Sequence, residues 1–95
     1  MNNVSLVGRI IKELEEFKEG TMLTLGVQRP YKNIEGIYET DCIPCITNGN
    51  LKNHCLEYLQ LGDIVGIKGR LQMIDDKLYV VCDKISFLSN RKEGE

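Results

Sequence analysis

The sequence contains no tryptophan and a single histidine, His54. No serine or cysteine nucleophile has a recognisable base nearby, and no glycine-rich phosphate-binding loop is present; we therefore expect no enzymatic activity. No apolar run approaches the ~20 residues that a membrane-spanning helix needs. Residues 1–4 also lack the basic and apolar regions of a signal peptide. We therefore expect a cytoplasmic protein without membrane contact.

An excess of positive charge is also missing. Lysine and arginine number 12 against 14 aspartates and glutamates, giving a formal net charge of -2, which weighs against strong binding of phosphates. Residues 12–19 hold two lysines and four glutamates and account for the whole net charge (2 − 4 = −2). The rest of the chain is neutral overall, so a local positive groove is compatible with the composition.

The 95 residues suffice for one domain. Hydrophobic residues make up 42% and charged residues 27%, an ordinary balance for a globular protein. We expect residues 1–89 to form this domain and residues 90–95 to form a short polar tail. Because a core of this size is only marginally stabilising, we also expect self-association.

Alternation with a period of two predicts five strands. Apolar residues alternate with polar ones around residues 4–10, 23–28, 37–46, 64–73 and 78–87. Gly36 is suited to a positive φ in the loop after the second strand, and Asp75-Asp76 predicts a tight turn between the last two strands. Between the third and fourth strands the spacing becomes helical over residues 50–61, and Gly62 suits a left-handed C-cap.

The predicted order is therefore three strands, one helix and two strands. Five strands with a helix between the third and fourth is the order of the OB fold. Glycines inside strands, such as Gly8, Gly26, Gly66 and Gly69, are useful where strands coil to close a barrel. We therefore predict an all-β, five-stranded OB-fold barrel.

Four segments, in order along the chain, support a more specific reading. They are residues 3–10, residues 25–33 followed by Gly36, residues 55–72, and residues 79–81 with 85–88. Over about residues 2–89 the chain resembles the bacterial single-stranded DNA-binding proteins. The resemblance implies binding of single-stranded DNA with little sequence preference, in DNA replication, recombination or repair. It also implies a homo-oligomer, a dimer or tetramer, that pairs through the first strand and its residues Val4, Leu6 and Val7.

The family stacks bases on several aromatic side chains, and this chain departs from that pattern. Tyr31 is present at the start of the second loop, but Cys42 and Asn48 align with two further aromatic positions. The hairpin that carries a fourth aromatic is short here, over residues 74–77, and the family's acidic tail is not among these residues. In lacking that tail, the chain is similar to a related short OB protein, primosomal replication protein N.

The predicted binding surface combines rings with cations, because bases stack on aromatic faces while the backbone follows a positive track. Tyrosines that only pack in the sheet and lysines that only solvate a face are the alternative for each position. The predicted nucleic-acid-binding residues are Arg29, Tyr31, Lys32, Asn33, Lys68, Arg70, Gln72 and Tyr79. A protein-binding adaptor of the primosome type is the alternative function, favoured by the lost aromatics and the negative charge. Replication proteins are further expected partners.

The four cysteines suggest a metal site, which we tested against the predicted elements. Cys42 and Cys45 form a C-x-x-C pair, with His54 and Cys55 downstream. Residues three apart in a strand point to opposite faces, and no second C-x-x-C follows. We expect reduced thiols that pack as small apolar side chains, Cys82 among them, and we expect no metal and no cofactor.

Overall fold

The computed structural model describes residues 1–18, 20–47 and 58–89 of the 95-residue chain. Its architecture is all-β, as predicted, and its strands belong to one six-stranded sheet. The strands are β1 (Val4–Ile10), β2 (Glu15–Phe17), β3 (Gly20–Lys32), β4 (Tyr38–Thr47), β5 (Ile64–Ile74) and β6 (Lys77–Ser89).

The sheet curls until its two sides meet. Its strand order is β1-β5-β6-β4-β3-β2, and an additional pairing joins β1 to β3. The contact between β4 and β6 is parallel, and the other pairs are antiparallel. The strands β1, β5, β6, β4 and β3 therefore form a closed ring, and β2 pairs with the first residues of β3 in the same sheet.

The interior of the ring holds the main core. Every second residue of the ring strands points inward, as a period of two requires. Leu59 joins this core from the segment before β5. The buried residues of the cluster are Ile10, Leu23, Leu25, Cys45, Leu59, Val65, Ile67, Val80 and Cys82.

The ring closes where β1 crosses β3. Arg9 pairs with Gly26 and Ile10 pairs with Leu25 at this crossing. A Cβ on Gly8 would lie well inside contact distance of the backbone oxygen of Gly26. Closure therefore requires a residue without a side chain at position 8.

One strand was not predicted. The acidic segment lies outside the five predicted strands, but Glu15–Phe17 pairs with the start of β3 as β2. Lys18 provides the turn with a φ of 52°. The glutamates of β2 are exposed while Phe17 is half-buried and contacts the Tyr79 ring. The ring contact of Phe17 gives the segment a packed face, which a count of its charges does not reveal.

The other predicted turns agree with the structure. Asp75 and Asp76 form the β5–β6 turn with φ angles of 51° and 68°, and Gly36 has a φ of 81°. Gly62 has a φ of 95°, and its N–H donates to the Ile10 oxygen at 2.7 Å. Residues 50–57 of the predicted helix (residues 50–61) lie outside the described residues, and the described residues 59–61 are not helical.

We predict that Gly8→Ala opens the ring and that Gly66→Ala does not. The new Cβ at position 8 meets rigid backbone, whereas at position 66 the nearest atom is the flexible Leu88 Cδ1 at 3.5 Å. Gly8→Ala should lower the free energy of unfolding by about 3 kcal/mol, and Gly66→Ala should change it by less than about 1 kcal/mol. Thermal melts of both variants test this, and equal melting temperatures would contradict the role given to Gly8.

Candidate nucleic-acid interface

A second apolar cluster lies on the outer surface of the ring. Residues of β3, β4 and β6 that alternate with core residues point outward. Tyr79 and Val81 alternate with the core residues Val80 and Cys82 in this way. This outer cluster comprises Ile46, Tyr79 and Val81, with Phe17, Met22 and Ile74 packed against them.

Two grooves flank the outer cluster. The first, which we call the Arg70 groove, has a volume of about 350 Å³ and brings the predicted residues Arg70 and Gln72 beside Lys18. The second, the Lys77 groove, measures about 390 Å³ and is lined by Lys12, Lys77, Cys42, Tyr79 and apolar neighbours. Lysines 12, 18 and 77 were not predicted, because only the folded topology brings these distant positions to one face.

Residues 29–41 of the β3–β4 hairpin, which we call the arm, lie beyond the residues at which β3 pairs with β1 and β4 pairs with β6. The register between the strands shifts between Gln28 and Lys32. Pro30 lies in this stretch and has no N–H to donate to a ladder. At the tip, Asn33 Oδ1 accepts hydrogen bonds from the N–H groups of Glu35 (2.8 Å) and Ile37 (2.9 Å). Asn33 therefore shapes the loop with its side chain.

The arm presents two tyrosines and a lysine. Tyr31 is 60% exposed. Tyr38 is 46% exposed, and Lys32 Nζ lies 5.8 Å from the centre of its ring. A cation at this distance over a ring is attracted to it. The Tyr38 ring is thus paired with Lys32, whereas no ring contact involves Tyr31 among the described residues.

Arg29 is held by two carboxylates at the base of the arm. Its Nη2 lies 2.8 Å from Asp41 Oδ1 and its Nε lies 3.1 Å from Oδ2, while Nη1 donates to Glu39. Two parallel bonds make this the strong, directional form of ion pair. The hydrogen bonds with Asp41 raise the pKa of Arg29, and the same bonds lower the pKa of the Asp41 carboxyl. The guanidinium thus joins the two strands of the arm.

The cations of β5 and of the β2–β3 turn differ in their pairing. Arg70 Nη1 lies 2.8 Å from Asp83 Oδ1, and Lys18 Nζ lies 3.0 Å from Asp75 Oδ2. Lys68 is exposed and lies opposite Lys84 in the β5–β6 register. Like charges directly opposite each other are unfavourable in a sheet, so the Lys68–Lys84 pair suits an anionic ligand.

Tyr79 occupies a different environment from the one predicted. Tyr79 is only 9% exposed, and the centre of its ring lies 5.0 Å from the centre of the Phe17 ring. Tyr79 does point outward, but β2 covers it with Phe17. The ring therefore packs within the outer cluster and lines the Lys77 groove without offering an open face.

Comparisons with known proteins show the family to which this chain belongs. Residues 1–79 match the single-strand binding protein family. The chain belongs to this family.

Two curated relatives support the assignment. Single-stranded DNA-binding protein 1 of Clostridium acetobutylicum is 32% identical, and the alignment covers 99% of both chains. Single-stranded DNA-binding protein 3 of Listeria innocua is also 32% identical, over 99% of this chain and 68% of its own length. Among solved structures, a small single-stranded DNA-binding protein from Mycoplasma pneumoniae has a TM-score of 0.71 at 25% identity, covering 97% of this chain and 99% of its own.

The first strand, β1, was expected to pair with a second copy of the chain. It pairs with β5 from Val4 to Arg9 but with β3 only at Arg9 and Ile10. Among the described residues, no strand occupies the other edge between Val4 and Gly8. Val7 is 60% exposed beside this edge, whereas Val4 and Leu6 pack partly against the core.

The cysteines follow the alternation expected of a strand. Cys42 is exposed and Cys45 is buried, so the C-x-x-C pair does not converge on one face. Across residues 1–18, 20–47 and 58–89, no group of three or more potential ligands could hold a metal ion. His54 and Cys55 lie outside the described residues. Within the same ranges, no helix has the length and apolar character needed to cross a membrane.

We predict that the Arg29–Asp41 pair stabilises the fold over a defined pH range. Because the folded pKa of Asp41 is lowered, its contribution is complete above the unfolded value of about 3.9 and is lost as the pH falls through the lower folded value. The stability difference between the wild type and Asp41→Asn should be constant from pH 7 to 5 and should shrink below about pH 4. Urea unfolding across this range measures it.

The matched control removes the partner of Asp41. In an Arg29→Gln background, Asp41→Asn should produce no such pH-dependent difference, because nothing then lowers the pKa of the carboxyl. A wild-type advantage that has already disappeared at pH 6 would contradict the assignment.

Proposed function

We propose that this chain binds single-stranded DNA with little sequence preference and serves DNA replication, recombination or repair. The observation on which this rests is Tyr31, a ring exposed on the β3–β4 arm beside Lys32, in a chain of the single-strand binding protein family. An exposed ring next to a cation meets the two requirements of a strand with unpaired bases, a stacking face and a charge for the phosphate.

The fold suits this function. The closed ring of β1, β5, β6, β4 and β3 has the strand number of an OB-fold barrel, and we propose that residues 1–89 form one. The predicted helix between β4 and β5, most of which lies outside the described residues, is part of the same proposal. An OB barrel places its ligand across an outer face and the adjacent loops, where the two grooves and the arm lie.

Five of the predicted binding residues would contact the DNA strand directly, and the other three would support them. Tyr31, Lys32, Lys68, Arg70 and Gln72 are exposed and would contact the strand directly. The two grooves add three cations to this surface, Lys12, Lys18 and Lys77. These cations extend the positive track for the DNA backbone.

Arg29, Asn33 and Tyr79 support this surface. Arg29 joins the strands of the arm, Asn33 fixes its loop, and Tyr79 packs with Phe17 under the grooves. Their contribution to affinity is therefore indirect, because Arg29 is held by two parallel bonds to Asp41, Asn33 Oδ1 accepts hydrogen bonds from the loop backbone, and Tyr79 is buried.

A protein-binding adaptor is the second candidate function. It is favoured by the exposed apolar residues at the end of the ring, where Leu71, Met73 and Leu78 are 43%, 60% and 52% exposed. These side chains continue the inward-facing rows of β5 and β6 beyond the core. A replication protein with an apolar surface would fit them, in addition to DNA or in its place.

We predict that the chain binds dT oligomers in preference to duplex DNA. We also predict that Tyr31 contributes more of the binding free energy than any other single side chain. Tyr31→Ala should cost about 1–3 kcal/mol of binding free energy, the usual loss of one stacked base, and Tyr31→Phe much less because the ring remains. With few phosphate contacts, the log–log salt slope should be about −2 to −4. Fluorescence anisotropy at several salt concentrations measures all three quantities.

Melting temperatures of the two Tyr31 variants provide the control. If Tyr31→Ala melts lower but binds as tightly per folded molecule, Tyr31 is a packing residue and the interface lies elsewhere. Equal affinity for duplex and single strand, or no binding at low salt, would reject the DNA-binding function and leave the adaptor.

We further propose that the chain is a dimer or tetramer that pairs through β1. An unpaired edge with an exposed apolar side chain is a template for pairing with a second copy, and the edge from Val4 to Gly8 with Val7 has this character. Sedimentation equilibrium at tens of micromolar should give a multiple of 10.8 kDa. Val7→Lys should shift the protein toward the monomer, and a wild type that is already monomeric would contradict the proposal.

A further inference from the structure

The Arg70 groove contains two cations, and each is already in contact with a carboxylate of the same chain. Lys18 and Asp75 come from separate hairpins, β2–β3 and β5–β6, and their charged atoms lie 3.0 Å apart. Arg70 and Asp83 come from neighbouring strands and meet at 2.8 Å. Each carboxylate thus contacts a cation that a phosphate oxygen could contact in its place.

Both contacts are easily exchanged. Each joins a single nitrogen to a single oxygen, unlike the two parallel bonds between Arg29 and Asp41. The side chains are exposed, at 56% and 79% for Lys18 and Asp75 and at 44% and 58% for Arg70 and Asp83. Exposed pairs of this kind are weak and are screened by salt.

We propose that Asp75 and Asp83 compete with DNA phosphates for Lys18 and Arg70, and so set the affinity of the groove below its maximum. This inference rests on the proposed function, because it assumes that a nucleic acid strand enters the Arg70 groove. The ligand chemistry is a phosphodiester oxygen, which bears the same charge as the carboxylate that it replaces.

The exchange requires no movement of the backbone. Lys18 reaches Asp75 through a flexible four-carbon stem, so its ammonium can turn from the carboxylate to a phosphate while the turn stays in place. Asp75 is on a tight turn with a φ of 51°, and its short side chain has little reach. The carboxylate therefore stays near the groove after exchange and opposes the incoming phosphate.

The chain offers a closely matched control for Asp75. Asp76 is the next residue of the same turn, has a φ of 68° and is exposed. No ion pair involves Asp76 among the described residues. Asparagine tolerates the left-handed conformation as aspartate does. The two variants Asp75→Asn and Asp76→Asn therefore change the net charge equally. They differ because only Asp75→Asn removes the ion pair with Lys18.

The experiment measures the affinity of dT oligomers for Asp75→Asn, Asp83→Asn, both together, and Asp76→Asn at low and at moderate salt. Each of the first two should raise affinity about two- to fivefold, the range that an exposed ion pair supports. The double variant should approach the product of the two gains, while Asp76→Asn should gain less than either. All gains should shrink as salt rises, because the competing contacts are screened.

A Lys18→Met background tests the contact itself. There, Asp75→Asn should gain no more than Asp76→Asn, because the cation for which Asp75 competes has been removed. If Asp75→Asn and Asp76→Asn gain equally in the wild-type background, the effect is that of net charge alone and the inference is overturned. If the wild type binds no single-stranded DNA at any salt concentration, the proposed function itself fails.

Discussion

The ring depends on the close approach of two backbones at Gly8 and Gly26. Without this approach β1 could not pair with β3, and Ile10 and Leu25 would not be brought together in the core. The same crossing directs the end of β1 toward the segment before β5, where the Ile10 N–H donates to the Asp63 oxygen at 2.9 Å. It also separates Val4–Gly8 from β3, and so leaves the edge that we propose for self-association.

A closed ring has an inner and an outer surface, and the proposed binding site is built on the outer surface. Inward-facing residues fill the core, so a ligand surface must be built from the alternate residues and from whatever packs on them. Here β2 adds Phe17 to the outer side of the sheet, next to Tyr79. The resulting outer cluster separates the Arg70 groove from the Lys77 groove. Phe17 therefore lines the Arg70 groove and also covers the ring of Tyr79.

The sequence was informative wherever a local rule decides the structure. Alternation predicted the ring strands, and the turn preferences of Gly36 and Asp75-Asp76 predicted their conformations, because these depend only on neighbouring residues. It failed for β2, since three residues with two glutamates form a strand only when β3 is available for pairing. It also could not find Lys12, Lys18 and Lys77 or the partners of Arg29, because long-range register determines which charges meet.

Net charge is therefore a poor guide to this interface. A value of -2 argues against phosphate binding only if every charge acts alone, yet several carboxylates here are committed to particular cations. Asp41 forms two parallel bonds with Arg29 and has a lowered pKa; its charge is used to hold the arm. Asp75 and Asp83 form single, exposed contacts, which a phosphate can replace at little cost. The geometry of each pair, more than the sum of the charges, decides which cations remain available to a nucleic acid.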